Sequence, residues 1–177
     1  DNLGITDPAV KQNVLYILAN RYFKLNDIYE VRDQKVKYAK AVLTGASKQA
    51  AIEAAELEKD ATLYRCHFEF PASLSLYIND KQIDAIKDGM TYNSLQVQYE
   101  SLVDMVPSLT EEEKKQIYAW YKEAREFSMD AENSDKKHAA FNKYKGRINN
   151  YLTKRGYDLV KERNEWYKRL KAAGKKI

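Results

Sequence analysis

Residues 136–157 read KKHAAFNKYKGRINNYLTKRGY, and the spacing within them decides the fold. Phe141, Tyr144, Ile148 and Leu152 recur at intervals of three and four, which puts them on one side of an α-helix. Ser134 is placed to cap the start of that helix, and Gly156 suits the left-handed residue that ends one. Around the apolar stripe stand His138, Lys143, Lys145, Arg147, Asn149, Asn150 and three tyrosines. A run of about five turns that spends so many hydrogen-bonding side chains has reason to face a ligand with some of them.

The same periodicity extends outward on both sides. Thr6-Asp7-Pro8 starts a helix, with proline where its missing N–H costs nothing. Val14, Leu18, Tyr22, Leu25, Ile28, Val36, Ala39 and Leu43 carry that helix from Pro8 to Leu43. A second helix is expected to be capped by Ser47, with Ile52, Ala55, Leu63, Cys66 and Phe70 inward. Pro71 should end or kink it, and the chain reads as helical again to Ile78. Asp80 is expected to cap a short helix that stops at Gly89, and Leu95 to Val106 forms the next, before Pro107. Thr110 with Glu113 is a capping box, followed by the stripe Ile117, Trp120, Tyr121, Ala124, Phe127 and Ala131. Asp158 caps a last helix with Leu159, Trp166, Tyr167 and Leu170 inward.

Six glycines and three prolines in 177 residues are too few turns for a multi-stranded β-fold. The expectation is therefore all-α: one helical domain over residues 1–177, a bundle of about six or seven helices with a long N-terminal helix and a frayed tail at 171–177. No run of 18 apolar residues is present, so no transmembrane segment is expected. The chain opens at Asp1 without a methionine, which reads as a processed or trimmed chain and leaves room for a removed export signal.

Charge is uneven. Residues 135–177 hold 14 Lys+Arg against 4 Asp+Glu, a net of +10, and the remainder holds 16 against 22, a net of −6. That asymmetry points to an anionic partner, or to basic residues that pair within the chain. The modest total of +4 and the lack of helix-turn-helix spacing argue against nucleic acid.

Two histidines and one cysteine, without a Glu-x-x-His pair, make a metal site unexpected. No glycine-rich phosphate loop and no nucleophile elbow are present, and no cofactor is expected. Arg32, on the apolar stripe beside Asp33, reads as a structural ion pair. Lys143, Arg147, Asn150 and Tyr151 share a helical stripe, as do Glu123, Glu126 and Asp130. Guanidinium and ammonium groups pair with carboxylates, amides match sugar hydroxyls, and a tyrosine ring offers a flat plate to a pyranose. The competing reading is hydrogen bonding between helices, with Arg147 paired to Glu126 or Asp130.

Leu25-Asn26-Asp27-Ile28, Arg32-Asp33, Lys87-Asp88-Gly89-Met90-Thr91-Tyr92, Glu123-Ala124-Arg125-Glu126, Met129-Asp130, Lys137-His138 and Lys143 to Leu152 together resemble an exported bacterial domain family of unknown function. That family is catalogued as sugar-binding and occurs in bacteria that degrade complex polysaccharides. The resemblance covers about Leu3 to Trp166, and its most specific part is Lys143-Tyr-Lys-Gly-Arg-Ile-Asn-Asn-Tyr151. It implies export to the periplasm or cell surface and a role in glycan use.

The resulting expectation is a carbohydrate-binding domain suited to acidic glycans such as pectic chains. Lys143, Lys145, Arg147, Asn150 and Tyr151 would contact ligand, with Lys87, Asp88, Thr91 and Tyr92 contributing from a neighbouring loop. Arg125, Asp130 and His138 would lie close by. Two alternatives stand beside it: a glycan lyase or hydrolase using His138 or Asp130 with Arg147, and a helical protein-interaction module in which the polar cluster pins helices together.

Overall fold

The computed structural model describes residues 3–175. Among them lie eight α-helices and no strand: α1 (Pro8–Val42), α2 (Gly45–His67), α3 (Glu69–Leu74), α4 (Asp80–Met90), α5 (Ser94–Met105), α6 (Glu111–Met129), α7 (Ser134–Lys154) and α8 (Leu159–Ala172). The all-α class and the long first helix stand as expected. The chain forms two compact units, residues 1–86 and 87–177. No helix among the described residues is long and apolar enough to cross a membrane.

In the first unit α1 begins as its sequence dictates. The Asp7 carboxylate accepts from the Ala9 N–H at 2.8 Å, and Pro8 occupies the first helical position. The helix folds back through Leu43 and Thr44 into an antiparallel partner, α2. Ser47 lies inside α2 instead of capping it, because Gly45 takes the turn at φ +54° and Thr44 precedes the helix in extended conformation. Arg32 joins the two helices through Glu56 at 3.1 Å and meets its neighbour Asp33 at 2.6 Å, so it is the expected structural pair. The second helix stops at His67, four residues before Pro71, whose ring would strike that carbonyl in a continuous helix. Its continuation, α3, ends at Leu74, and hydrogen-bonded turns to Ile78 replace the helix expected there.

The second unit is built on α6 and α7, an antiparallel pair. Ile117, Tyr121 and Ala124 from α6 and Phe141, Ile148 and Leu152 from α7 form its centre, closed by Leu95, Leu102 and Val106 around α5. Asn133, one residue earlier than expected, caps α7 by accepting from the Lys136 N–H at 3.0 Å. Gly156 ends α7 at φ +94°, a conformation that suits glycine. Of the residues expected inward on α8, Leu159, Trp166 and Leu170 are partly buried, Leu159 against the core of the unit, and Tyr167 is exposed; none is fully buried. Polar contacts also hold it: the Trp166 indole donates to Asp104 at 2.6 Å and Arg169 donates to the Asp104 carbonyl at 2.7 Å. The tail residues 176 and 177 lie outside the described residues.

The Thr110–Glu113 capping box forms as expected, and it extends further than the sequence indicates. Glu113 accepts from the Thr110 N–H at 2.9 Å and from the Tyr157 hydroxyl at 2.6 Å, tying the start of α6 to the residue beyond α7. The Tyr157 bond holds the Glu113 carboxyl below its ordinary 4.5, against the opposing effect of burial. A depressed carboxyl contributes stability that is complete above 4.5 and is lost as pH falls through its folded value. Acid titration of unfolding should therefore show a shallower loss below pH 4.5 in Glu113→Gln than in the parent. Equal slopes would mean that this carboxylate is not coupled to folding.

Gly146 lies inside α7, and a Cβ built on it meets nothing within 4 Å. Gly146→Ala should then stabilise the protein by about 0.5–1 kcal/mol, because the glycine carries only an entropic cost there. Denaturant unfolding with an unchanged slope and a higher midpoint would show it.

Candidate functional site

The sequence-predicted residues separate into two groups in the second unit. With about 3.6 residues per turn, His138 falls on one flank of the buried line Phe141–Tyr144–Ile148–Leu152 in α7. Arg147 and Tyr151 fall on the other flank. Lys143 and Asn150 point away from the core, and both are exposed, as is Lys145. The stripe of Lys143, Arg147, Asn150 and Tyr151 exists, but the loop at 87–92 does not meet it.

On the first flank, three distant segments do converge. The end of α4 brings Lys87 onto Glu126 of α6 at 2.9 Å and Asp88 onto Arg125 at 2.8 Å. Arg125 also approaches Glu126 at 3.5 Å, and its side chain is 4% exposed. The Thr91 hydroxyl is buried and donates back to the Lys87 carbonyl at 2.9 Å. From α7, the buried Lys137 ammonium donates to the Met90 carbonyl at 2.8 Å and lies 5.7 Å from the Tyr92 ring centre. Burial pulls the Lys137 pKa below its ordinary value. The exposed Tyr92 ring stacks on His138 at 5.4 Å.

Tyr92 and Asn93 both take left-handed backbone, φ +58° and +54°. Neither is glycine, and such residues cost on the order of 1–3 kcal/mol each. The turn is over-determined by its neighbours: the Asn93 N–H donates to the Asp88 carbonyl at 2.8 Å, and Asp88 is fixed by Arg125. Four of the residues expected to touch ligand, Lys87, Asp88, Thr91 and Arg125, are thus engaged with one another or with the chain and hold the α4–α5 turn against α6. Tyr92 and His138 alone of this set present rings to solvent. Asp130 is half-buried at the end of α6.

The opposite flank carries a row of rings and guanidinium groups. Phe127 stacks on Tyr144 at 6.3 Å. Arg147 lies 6.0 Å from Tyr144 and 4.7 Å from Trp120. Trp120 meets Tyr151 edge-on at 5.0 Å, and Arg155 covers Tyr151 at 4.9 Å. Glu123 approaches Arg147 at 3.4 Å, so the pairing expected with Glu126 or Asp130 is made with Glu123 instead. Burial, with help from the Glu123 bond, pushes the Tyr144 hydroxyl up to about 12.

Trp120, Phe127 and Arg155 were not among the predicted site residues. Trp120 and Phe127 satisfy the apolar spacing of α6 and read as core, yet Trp120 is half-buried and Phe127 is 62% exposed. Arg155 had a signal in sequence: Arg147, Tyr151 and Arg155 repeat at four-residue spacing along one face.

Among the described residues no three His, Cys, Asp or Glu side chains are placed to share a metal ion. A family profile described as "Protein of unknown function (DUF3826)" matches residues 1–172, and the chain belongs to that family. No curated protein matches the chain.

Proposed function

We propose that this member of the family is a carbohydrate-binding domain of an exported bacterial protein involved in polysaccharide use. Its sugar contacts lie on the α6–α7 flank that carries Trp120, Arg147, Tyr151 and Arg155. The observation behind this reading is the continuous row there of Arg147, Trp120, Tyr151 and Arg155, part exposed and pre-oriented by mutual contact. Aromatic faces receive the C–H side of a pyranose, and guanidinium forks receive its oxygens. Stacking also limits the side-chain entropy lost on binding. The resemblance to a sugar-binding, exported family supports the same assignment.

A panel of neutral and acidic plant and bacterial glycans, followed by tryptophan fluorescence, tests it. Saturable quenching with at least one glycan, lost in Trp120→Ala, is the expected result. No response across the panel would remove the assignment.

The helical interaction module remains the second reading. It is favoured by the Lys87–Glu126 and Asp88–Arg125 pairs, which pin helices together as that reading requires. The lyase reading has less support, since His138 and Arg147 stand on opposite flanks of α7 and do not address one sugar together.

A further inference from the structure

Arg147 and Arg155 are less tightly paired than Arg125. A guanidinium offers five N–H donors in a planar fork. The nearest carboxylate to Arg155 is Glu113 at 3.7 Å, too long for a hydrogen bond, and the Arg155 side chain is 53% exposed. Thr110 and Tyr157 both donate to Glu113 Oε2, and that fixes the carboxylate with Oε1 held 3.7 Å from Arg155. Arg147 has one long contact, to Glu123 at 3.4 Å, and is 54% exposed. A charge-assisted N–H···O bond is normally about 2.7–2.9 Å, so neither pairing is tight. Each guanidinium carbon lies over a ring, while about half of each side chain stays open to solvent.

The two groups are eight residues apart on one helical face, a span of about 12 Å. Between them lie the rings of Trp120 and Tyr151. The carbonyls at the end of α7 would repel an anion, but those of Tyr151, Leu152 and Thr153 accept from Arg155, Gly156 and Tyr157 N–H groups. An anion arriving at Arg155 therefore meets a fork and a capped helix end.

We propose that Arg147 and Arg155 read two acidic groups, carboxylate or sulfate ester, on one oligosaccharide lying along α7, with the sugars between them resting on Trp120 and Tyr151. This rests on the sugar-binding reading above. The span makes the ligand an oligomer, since one sugar cannot reach both forks. Glu123 competes with the ligand for Arg147, so its removal has a sign that a merely structural role would not produce.

Isothermal titration with oligogalacturonides of increasing length, their methyl esters, galacturonic acid, sulfated galactan oligosaccharides and neutral galactan oligosaccharides tests this. An acidic oligomer of either kind should bind at least about tenfold more tightly than the acid monomer and than its uncharged counterpart. Whether carboxylate or sulfate supplies the charge is read from which series binds. Arg155→Gln should weaken the acidic oligomer about tenfold, and Glu123→Gln should tighten it without affecting neutral sugars. Esters or neutral oligomers that bind as tightly as acidic ones would overturn the two-arginine reading and leave sugar binding standing. So would a monomer that matches the oligomers, or an Arg155→Gln protein with unchanged affinity. Silence from every glycan would take both down.

Discussion

Arg125→Ala is expected to lower the free energy of unfolding by about 3 kcal/mol and to leave glycan binding unchanged. Arg125 is 3% exposed and stands between Asp88 and Glu126. Its removal leaves the Asp88 carboxylate without that cation beside a strained turn. The loss falls at the low end of what breaking a buried pair costs because both carboxylates are 29% exposed and can recruit water. Asp88→Asn should cost less, since a neutral amide can still accept from Arg125. A double-mutant cycle between the two positions should show a coupling well above the additive error. Denaturant unfolding provides the readout. A folded, stable Arg125→Ala protein that no longer binds glycan would return Arg125 to the ligand site.

Trp120→Ala carries the second large effect, on binding instead of folding. Its ring supports Arg147 on its face and meets Tyr151 at its edge, so truncation disorganises both neighbours. Central aromatic anchors are worth about 2 kcal/mol or more, which is roughly a thirtyfold loss of affinity. Trp120→Phe keeps a ring in place and should recover part of the loss. Because Trp120 is only half-buried, the cost to stability should be smaller than that of a core truncation. A Trp120→Ala protein with parental glycan affinity would place the sugar contacts elsewhere.

The helices were legible in the sequence because each has its own local cause. Asp7-Pro8 starts α1, the Thr110 box starts α6, Pro71 stops α2 and Gly156 stops α7. The cap positions that shifted moved by three residues, from Ser47 to Thr44 before the Gly45 turn, and by one, from Ser134 to Asn133, whose side chain competes with serine for the same role. The inward face of α8 could not be read in the same way. Its apolar spacing is present, but how far that face is buried depends on what packs against it, and α8 is covered only in part, with Leu159 against the core and Trp166 tied to Asp104.

The candidate site was legible as chemistry and not as place. The sequence shows that Lys87, Asp88 and Arg125 are polar, but their pairing into a pin depends on α4 and α6 meeting, which no local pattern records. Trp120 and Phe127 show the reverse case: periodicity assigns them to the core, yet Trp120 packs against it only partly buried and Phe127 is exposed. Arg147 found Glu123 and not Glu126 because Glu126 lies towards the other flank, engaged by Lys87.

The protein has two tryptophans, which makes the central claim directly measurable. In a proton–nitrogen NMR titration with the best-binding glycan, the Trp120 indole N–H and the Arg147 and Arg155 side-chain N–H signals should shift and saturate together. The Trp166 indole, bonded to Asp104, and the backbone signals of Tyr92 and His138 should stay in place. Shifts confined to Tyr92, His138 and their neighbours, with Trp120 unmoved, would contradict the account.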